Sequence, residues 1–211
     1  MNIGCFCVAA ALFSGCRPPA SEELLRQAKK LGDERRWDEA RVLIVDYLLD
    51  HPNDVAGHFL LGQSYVHVPQ DYEVVGRGEL LVAYTLYQKS GQLGVLAEDM
   101  PPERFTVLYH QDTALTYLRA TRRALQANFP PALLADHLEE ALRHAEAGLE
   151  LDAQASFLRE MKEMLTGLLQ EVRKHAPAPE KPPYTPAPLP RHHEGAPGAL
   201  AGEYYAHDAR S

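Results

Sequence analysis

Three cysteines are the most reactive side chains of this sequence, and they lie near its N-terminus, at Cys5, Cys7 and Cys16. A thiolate is both a nucleophile and a metal ligand. Cys5 and Cys7 stand one residue apart in an apolar run, and neither the spacing nor the setting indicates a metal site. Cys16 follows two small residues, Ser14 and Gly15, which leave its backbone and its nucleophilic thiol accessible to an enzyme.

The segment before Cys16 has the composition of an export signal. Residues 3–13 carry no charge and are mostly apolar. They are too few to span a bilayer, which takes about 20 apolar residues, but they match the hydrophobic region of a signal peptide. Because the composition changes abruptly at Arg17-Pro18-Pro19, we predict that residues 1–15 are the signal.

The sequence Phe13-Ser14-Gly15-Cys16 resembles the lipobox of bacterial lipoproteins. The resemblance implies that residues 1–15 are removed, that Cys16 is lipidated, and that residues 16–20 form a lipidated linker. The anchor would be stable, because it would carry three acyl chains and two or more suffice for lasting attachment. After removal of the signal, Cys16 would be the one remaining cysteine of the three.

Two departures from the lipobox pattern leave an alternative open. Phe13 stands where leucine is usual, and Met1-Asn2 supplies no charged side chain, which a start codon further upstream would explain. The alternative is a short buried N-terminal helix with an incidental cysteine. In lipoproteins of this kind an aspartate after the cysteine favours the inner membrane. In a cell with two membranes, Arg17 therefore favours an outer-membrane anchor that faces the periplasm, with the inner membrane and the cell surface as the alternatives.

Apolar residues recur at helical spacing from Ser21 onward. The pattern predicts helices over about 21–31, 38–49 and 55–66, with Ser21 as an N-cap and Pro52 in the turn after the second helix.

These helices resemble the tetratricopeptide repeat, a 34-residue pair of antiparallel helices with the pattern W-x2-L-G-x2-Y…A-x3-F…P. Leu61, Gly62 and Tyr65 match its L-G-x2-Y core, and Ala40 and Ile44 match A-x3-F. Small residues are needed at such positions because helix axes must approach to about 8–10 Å. We assign repeat packing to Leu24, Ala28, Leu31, Trp37, Ala40, Ile44, Pro52, Leu61, Gly62, Tyr65, Ala141 and Ala145.

The repeat pattern is weaker after residue 66. Proline and glycine residues predict an irregular insertion over 67–78 and a loop over 94–100. Further helices are predicted over about 79–89, 103–127, 132–149 and 154–174. The inward positions expected in the last helix are Phe157, Met161, Met164, Leu165, Leu168 and Val172.

The expected fold class is all-α, a tetratricopeptide-like solenoid of antiparallel helix hairpins over residues 21–174. Residues 175–211 are rich in proline, and such a segment buries too little apolar area to offset the entropy of ordering. We expect a disordered tail with polyproline II character, either a passive spacer or a proline-rich ligand for another protein.

The sequence contains no motif for catalysis, for a cofactor or for a metal ion. It has no phosphate-binding glycine loop, no G-x-S-x-G and no H-E-x-x-H. His137 and His144 share a helix face without further ligands, and we interpret them as surface or groove residues. Asp136, Glu139 and Glu140 are typical of a solvated helix face. The formal net charge of −8, without a basic block, disfavours nucleic-acid binding.

Four tyrosines on the irregular middle helices, Tyr84, Tyr87, Tyr109 and Tyr117, are tentative partner-binding residues, because tyrosine is enriched at interfaces. Core packing is the alternative and the one that we favour. We expect a non-enzymatic, lipid-anchored scaffold that binds a protein or peptide in the envelope. A permanent structural subunit of a membrane-associated complex is the second reading, and a small envelope enzyme or ligand carrier is the third.

Overall fold

A computed structural model describes residues 20–68 and 72–175 of the chain. The predicted signal, the lipidation site Cys16, the linker up to residue 19 and the proline-rich segment 176–211 lie outside the described residues. The described residues form α-helices and one 3-10 helix, with no β-strand among them. The expectation of an all-α fold is confirmed for this part of the chain.

Seven α-helices and one 3-10 helix follow each other in the described residues. They are α1 (Ala20–Asp33), α2 (Trp37–Asp50), α3 (Val55–His67), α4 (Glu73–Ser90), the 3-10 helix (Gly94–Glu98), α5 (Pro102–Gln126), α6 (Pro131–Leu151) and α7 (Ser156–His175).

Local signals in the sequence explain several helix ends. The side chain of Asp54 accepts a hydrogen bond from the backbone N–H of Gly57 at 2.7 Å and caps the start of α3. Gly91 ends α4 in the left-handed conformation, with φ of 67°. Pro102 and Pro131 are the first residues of α5 and α6, where the missing N–H of proline costs nothing.

Each helix packs against the next one along the chain, and α1 also contacts α3, as α3 contacts α5. The first apolar core is formed by α1 to α4, the 3-10 helix and the first half of α5, and it includes Leu25, Ile44 and Phe59. A second core joins α5, α6 and α7 and includes Leu138 and Leu158.

Glycine residues allow the closest helix contacts. A Cβ atom on Gly62 of α3 would lie 2.7 Å from Cγ of Leu80 and 3.0 Å from its backbone nitrogen. A Cβ atom on Gly148 of α6 would lie 2.6 Å from Cδ1 of Leu158 and 3.4 Å from Cβ of His110. Neither position has room for a side chain unless the neighbouring helix moves.

Most of the residues assigned to repeat packing are in the core. The buried members are Ala28, Leu31, Ala40, Ile44, Leu61, Gly62, Ala141 and Ala145. Leu24, Trp37 and Tyr65 are partly buried, and the ring of Trp37 covers Gly32. Pro52 is exposed in the turn between α2 and α3, so it contributes to chain direction rather than to burial.

The predicted irregular insertion over 67–78 is wrong for its second half, because α4 begins at Glu73. The carboxylate of Glu73 is buried and forms an ion pair with Arg123 of α5. Gly76 fits against Tyr65 and Val66 of α3, where a Cβ atom would lie 3.0 Å from Cβ of Tyr65. These long-range contacts stabilise a helix across glycines that locally disfavour one. The predicted loop over 94–100 likewise contains the 3-10 helix.

The predicted inward face of the last helix is partly wrong. Leu158, Met161, Leu165 and Leu169 face α6, whereas Phe157, Met164 and Leu168 are between 41% and 46% exposed. The helix carries two adjacent apolar stripes, and periodicity alone does not indicate which of them packs against α6. Among the described helices, none is both long enough and apolar enough to cross a membrane.

We expect Gly62→Ala to lower the free energy of unfolding by about 1–3 kcal/mol, because its methyl group would overlap Leu80. Gly167→Ala is the matched control, since no atom lies within 4 Å of a Cβ there and alanine favours helix by about 1 kcal/mol. Urea unfolding measures both changes. Equal effects of the two substitutions would contradict the close α3–α4 contact.

Candidate functional site

A groove of about 510 Å³ opens between α4, α5 and α6. We name it the α4–α6 groove. Helix α4 contributes Arg77, Gly78 and Tyr84 to its lining, α5 contributes Tyr109, His110 and Tyr117, and α6 contributes Arg143 and His144. Because all of these residues are on helices, the backbone that carries them is held by the two cores.

Stacked rings form much of the groove surface. The rings of Tyr84 and Tyr109 are parallel, with centroids 4.2 Å apart. The ring of Tyr117 stacks on His144 at 6.1 Å, and the guanidinium carbon of Arg77 lies 4.1 Å from the centroid of Tyr117. Such aromatic and cation–π contacts hold these side chains in fixed positions.

Two histidines meet in the groove. Nδ1 of His110 and Nδ1 of His144 are 3.0 Å apart, and Nη2 of Arg143 is 3.2 Å from Nε2 of His144. Since arginine can only donate, Nε2 of His144 is the acceptor and its Nδ1 carries the proton. That proton is donated to Nδ1 of His110, so the remaining ring proton of His110 is on Nε2 and can be donated to a ligand.

Burial keeps this histidine pair neutral. Burial, with the nearby charge of Arg143 and the ring of His110, lowers the pKa of His144 to about 4. Burial and the charge of Arg143 also lower the pKa of His110. Neutral imidazoles can donate and accept hydrogen bonds at neutral pH, but they add no charge to the groove.

The positive charge in the groove comes from its two arginines. Arg143 donates from Nε and Nη2 to Oε2 of Glu140, at 3.0 and 2.5 Å, so its charge is compensated within α6. Arg77 makes no hydrogen bond or ion pair with the rest of the described chain, and its Nη1 is shielded from solvent. No aspartate or glutamate is among the lining residues in this part of the chain.

The structure places three of the four tentative tyrosines, Tyr84, Tyr109 and Tyr117, in the same groove. Tyr87 packs against Phe105, with ring centroids 4.9 Å apart. Core packing, the favoured alternative, applies to all four tyrosines, because Tyr109 is buried in the first core, Tyr84 and Tyr87 pack against it, and Tyr117 packs against the second core. His144 is almost fully buried in the groove, whereas His137 lies beside Tyr117, outside the groove lining.

Sequence reasoning missed Arg77, His110 and Arg143. Arg77 fell within the supposed insertion, where no helix face could be assigned to it. His110 and Arg143 are far apart in sequence, and no spacing rule connects them. The spacing of Tyr109, Thr113 and Tyr117 along one face of α5 was the available signal for the groove.

A second, apolar cleft of about 440 Å³ lies along α5, α6 and α7. Leu115, Leu118 and Leu138 line it together with the exposed Met164 and Leu168. The described residues contain no group of three or more histidine, cysteine, aspartate or glutamate side chains that could hold a metal ion. No protein-family model, curated protein or solved structure matches this chain.

We expect acid to destabilise the native protein through His144. The unfolded residue has a pKa of about 6.5, so between pH 6.5 and 4 the unfolded chain binds a proton that the native state excludes. Burial raises the pKa of Asp112 to about 6, which stabilises the native state as pH falls through nearly the same range. The effect of His144 is therefore measured against a variant and not from the total pH dependence.

From pH 7 to pH 4, the wild type should lose up to about 3 kcal/mol more unfolding free energy than His144→Asn, because the variant cannot take up the proton. Denaturant unfolding at several pH values measures this difference. His175→Asn, at the exposed end of α7, serves as the control substitution. Parallel pH profiles for wild type and His144→Asn would contradict the neutral, buried state of His144.

Proposed function

We propose that the protein is a non-enzymatic interaction scaffold of the bacterial envelope, a tetratricopeptide-like solenoid that binds a segment of a partner protein in the α4–α6 groove. In this proposal a lipid on Cys16 anchors the chain to the outer membrane, facing the periplasm. Residues 176–211 are a proline-rich tail beyond the solenoid.

The groove is the observation that carries the proposal. Three tyrosines and two arginines converge in one open groove on packed helices. These two residue types are enriched at interfaces and among the residues that dominate binding energy. A site on helices is also preorganised, so a partner does not have to order the loops around it.

The helix packing supports the repeat assignment. Leu61, Gly62 and Tyr65 lie on α3 where the repeat pattern needs them, and Gly62 receives Leu80 of the following helix. Contacts of α1 with α3 and of α3 with α5 are the expected arrangement of first helices in consecutive hairpins. The closing helix of such a stack needs a polar outer face, and α7 meets this need in part, because Phe157, Met164 and Leu168 are exposed beside its polar positions.

The apolar cleft favours a second candidate, a permanent subunit of a larger envelope complex. Met164 and Leu168 are more than 40% exposed beside this cleft, and obligate interfaces are richer in apolar surface than transient ones. The two candidates use different surfaces, and they can therefore be separated by substitution.

We expect Gly78→Phe to reduce partner recovery at least tenfold when the tagged full chain is purified from cross-linked envelopes. Gly78 lines the groove and no atom lies within 4 Å of a Cβ there, so the phenyl ring would occupy the groove without disturbing the core. Gly167→Phe, at an equally open helix position on α7, is the control and should retain the partner.

Undiminished recovery with Gly78→Phe would overturn the proposed site. Loss of the partner with Met164→Glu but not with Gly78→Phe would favour the structural subunit. The intact mass of the membrane-extracted protein tests the anchor separately. We expect the mass of residues 16–211 plus three acyl chains, and retention of residues 1–15 would contradict it.

A further inference from the structure

The α4–α6 groove differs in charge from the chain as a whole. The sequence carries a formal net charge of −8, yet the groove lining contains two arginines and no carboxylate in the described part of the chain. An acidic protein that keeps one groove free of acidic side chains offers a local site for negative charge.

Arg77 supplies a positive charge that no carboxylate of the described chain binds directly. Arg143 is held by Glu140, whose carboxylate lies near enough to Arg77 to interact with its charge but makes no hydrogen bond or ion pair with it. Arg77 is placed by stacking on Tyr117, at 4.1 Å, instead of by a carboxylate. Its Nη1 is shielded from solvent and has no hydrogen-bond partner among the described residues. The other guanidinium nitrogens are not shielded in this way, and they are the donors that an anion in the groove can reach.

Other donors surround the same space. The hydrogen bonds of the histidine pair leave the Nε2 proton of His110 available, and the hydroxyl groups of Tyr84, Tyr109 and Tyr117 are on rings that line the groove. A guanidinium with neighbouring N–H and O–H donors suits a carboxylate, because charge-assisted hydrogen bonds to ionised acceptors are the strong ones. The ring faces beside them suit apolar parts of the same ligand.

We propose that the α4–α6 groove recognises an acidic stretch of its partner polypeptide, with Arg77 binding a carboxylate and the tyrosine rings packing against the residues beside it. This inference rests on the proposed function and specifies the chemistry of the partner. The groove volume of about 510 Å³ is within the range of sites that enclose a short segment or a small ligand.

Fluorescence anisotropy with the full, detergent-solubilised chain tests this chemistry. The probe is a fluorescein-labelled ten-residue peptide of alternating glutamate and tyrosine, capped at its C-terminus, and the comparison peptide has glutamine in place of glutamate. We expect the glutamate peptide to bind at least tenfold more tightly, which corresponds to about 1.4 kcal/mol, and its binding to weaken as salt is added.

Arg77→Gln should weaken binding of the glutamate peptide about tenfold and leave the glutamine peptide unaffected. Arg77→Lys keeps the charge and should retain an intermediate affinity, which separates charge recognition from loss of the stack on Tyr117. Arg104→Gln, at an exposed position on α5, is the matched control and should bind as the wild type does. The unfolding midpoint of each variant shows whether it is folded.

Equal affinity for the two peptides, or an unchanged affinity in folded Arg77→Gln, would overturn the inference. The outcome for the proposed function is read separately, from partner recovery with Gly78→Phe. Loss of the partner in Gly78→Phe together with no preference for glutamate would keep the groove as the site and reject acidic recognition. Retention of the partner in Gly78→Phe would reject both. A preference for a free over a capped C-terminus in the glutamine peptide would assign the anionic group to a chain terminus.

Discussion

The structure depends on close contact between helices at positions where no side chain intervenes. Gly62 allows α4 to approach α3 closely enough for Leu80 to occupy the place of a side chain, and Gly148 allows Leu158 of α7 to do the same on α6. Gly148 also brings α6 against His110 of α5, with 3.4 Å between its Cβ position and Cβ of His110. The separation of α4 and α6, and hence the groove between them, follows from these contacts.

The groove in turn combines stacked rings with positive charge. Its rings stack on each other, so Tyr84, Tyr109 and Tyr117 present fixed surfaces at little entropic cost. Its positive charge comes from two arginines, because Glu140 binds Arg143 directly while Arg77 stacks on Tyr117 and makes no ion pair with a carboxylate. A rigid aromatic surface beside such an arginine suits a ligand with an acidic group next to apolar parts, and this connects the fold to the proposed interaction.

The sequence predicted the helices and many of the buried positions because these are local properties. Ala40 and Ile44 share one helix face, and Gly62 is marked by its neighbours Leu61 and Tyr65. The start of α4 could not be predicted in this way, since it relies on the ion pair between Glu73 and Arg123, 50 residues apart. The packed stripe of α7 and the meeting of Arg77 with His144 depend on how helices are rotated about their axes. That rotation is set by tertiary contacts, which the sequence does not show. The tyrosines therefore indicated a binding surface, but the arginines that share it could not be predicted.

In the proposed interaction, a preformed groove between α4 and α6 receives the partner. An NMR titration of the isotope-labelled protein with the glutamate–tyrosine peptide, followed at backbone amides, tests this directly. We expect the largest shift changes at Arg77, Gly78, His110 and Tyr117, and little change at the amides of α1 and α2. Changes concentrated along the apolar cleft of α5 and α7, or spread evenly over all helices, would contradict it.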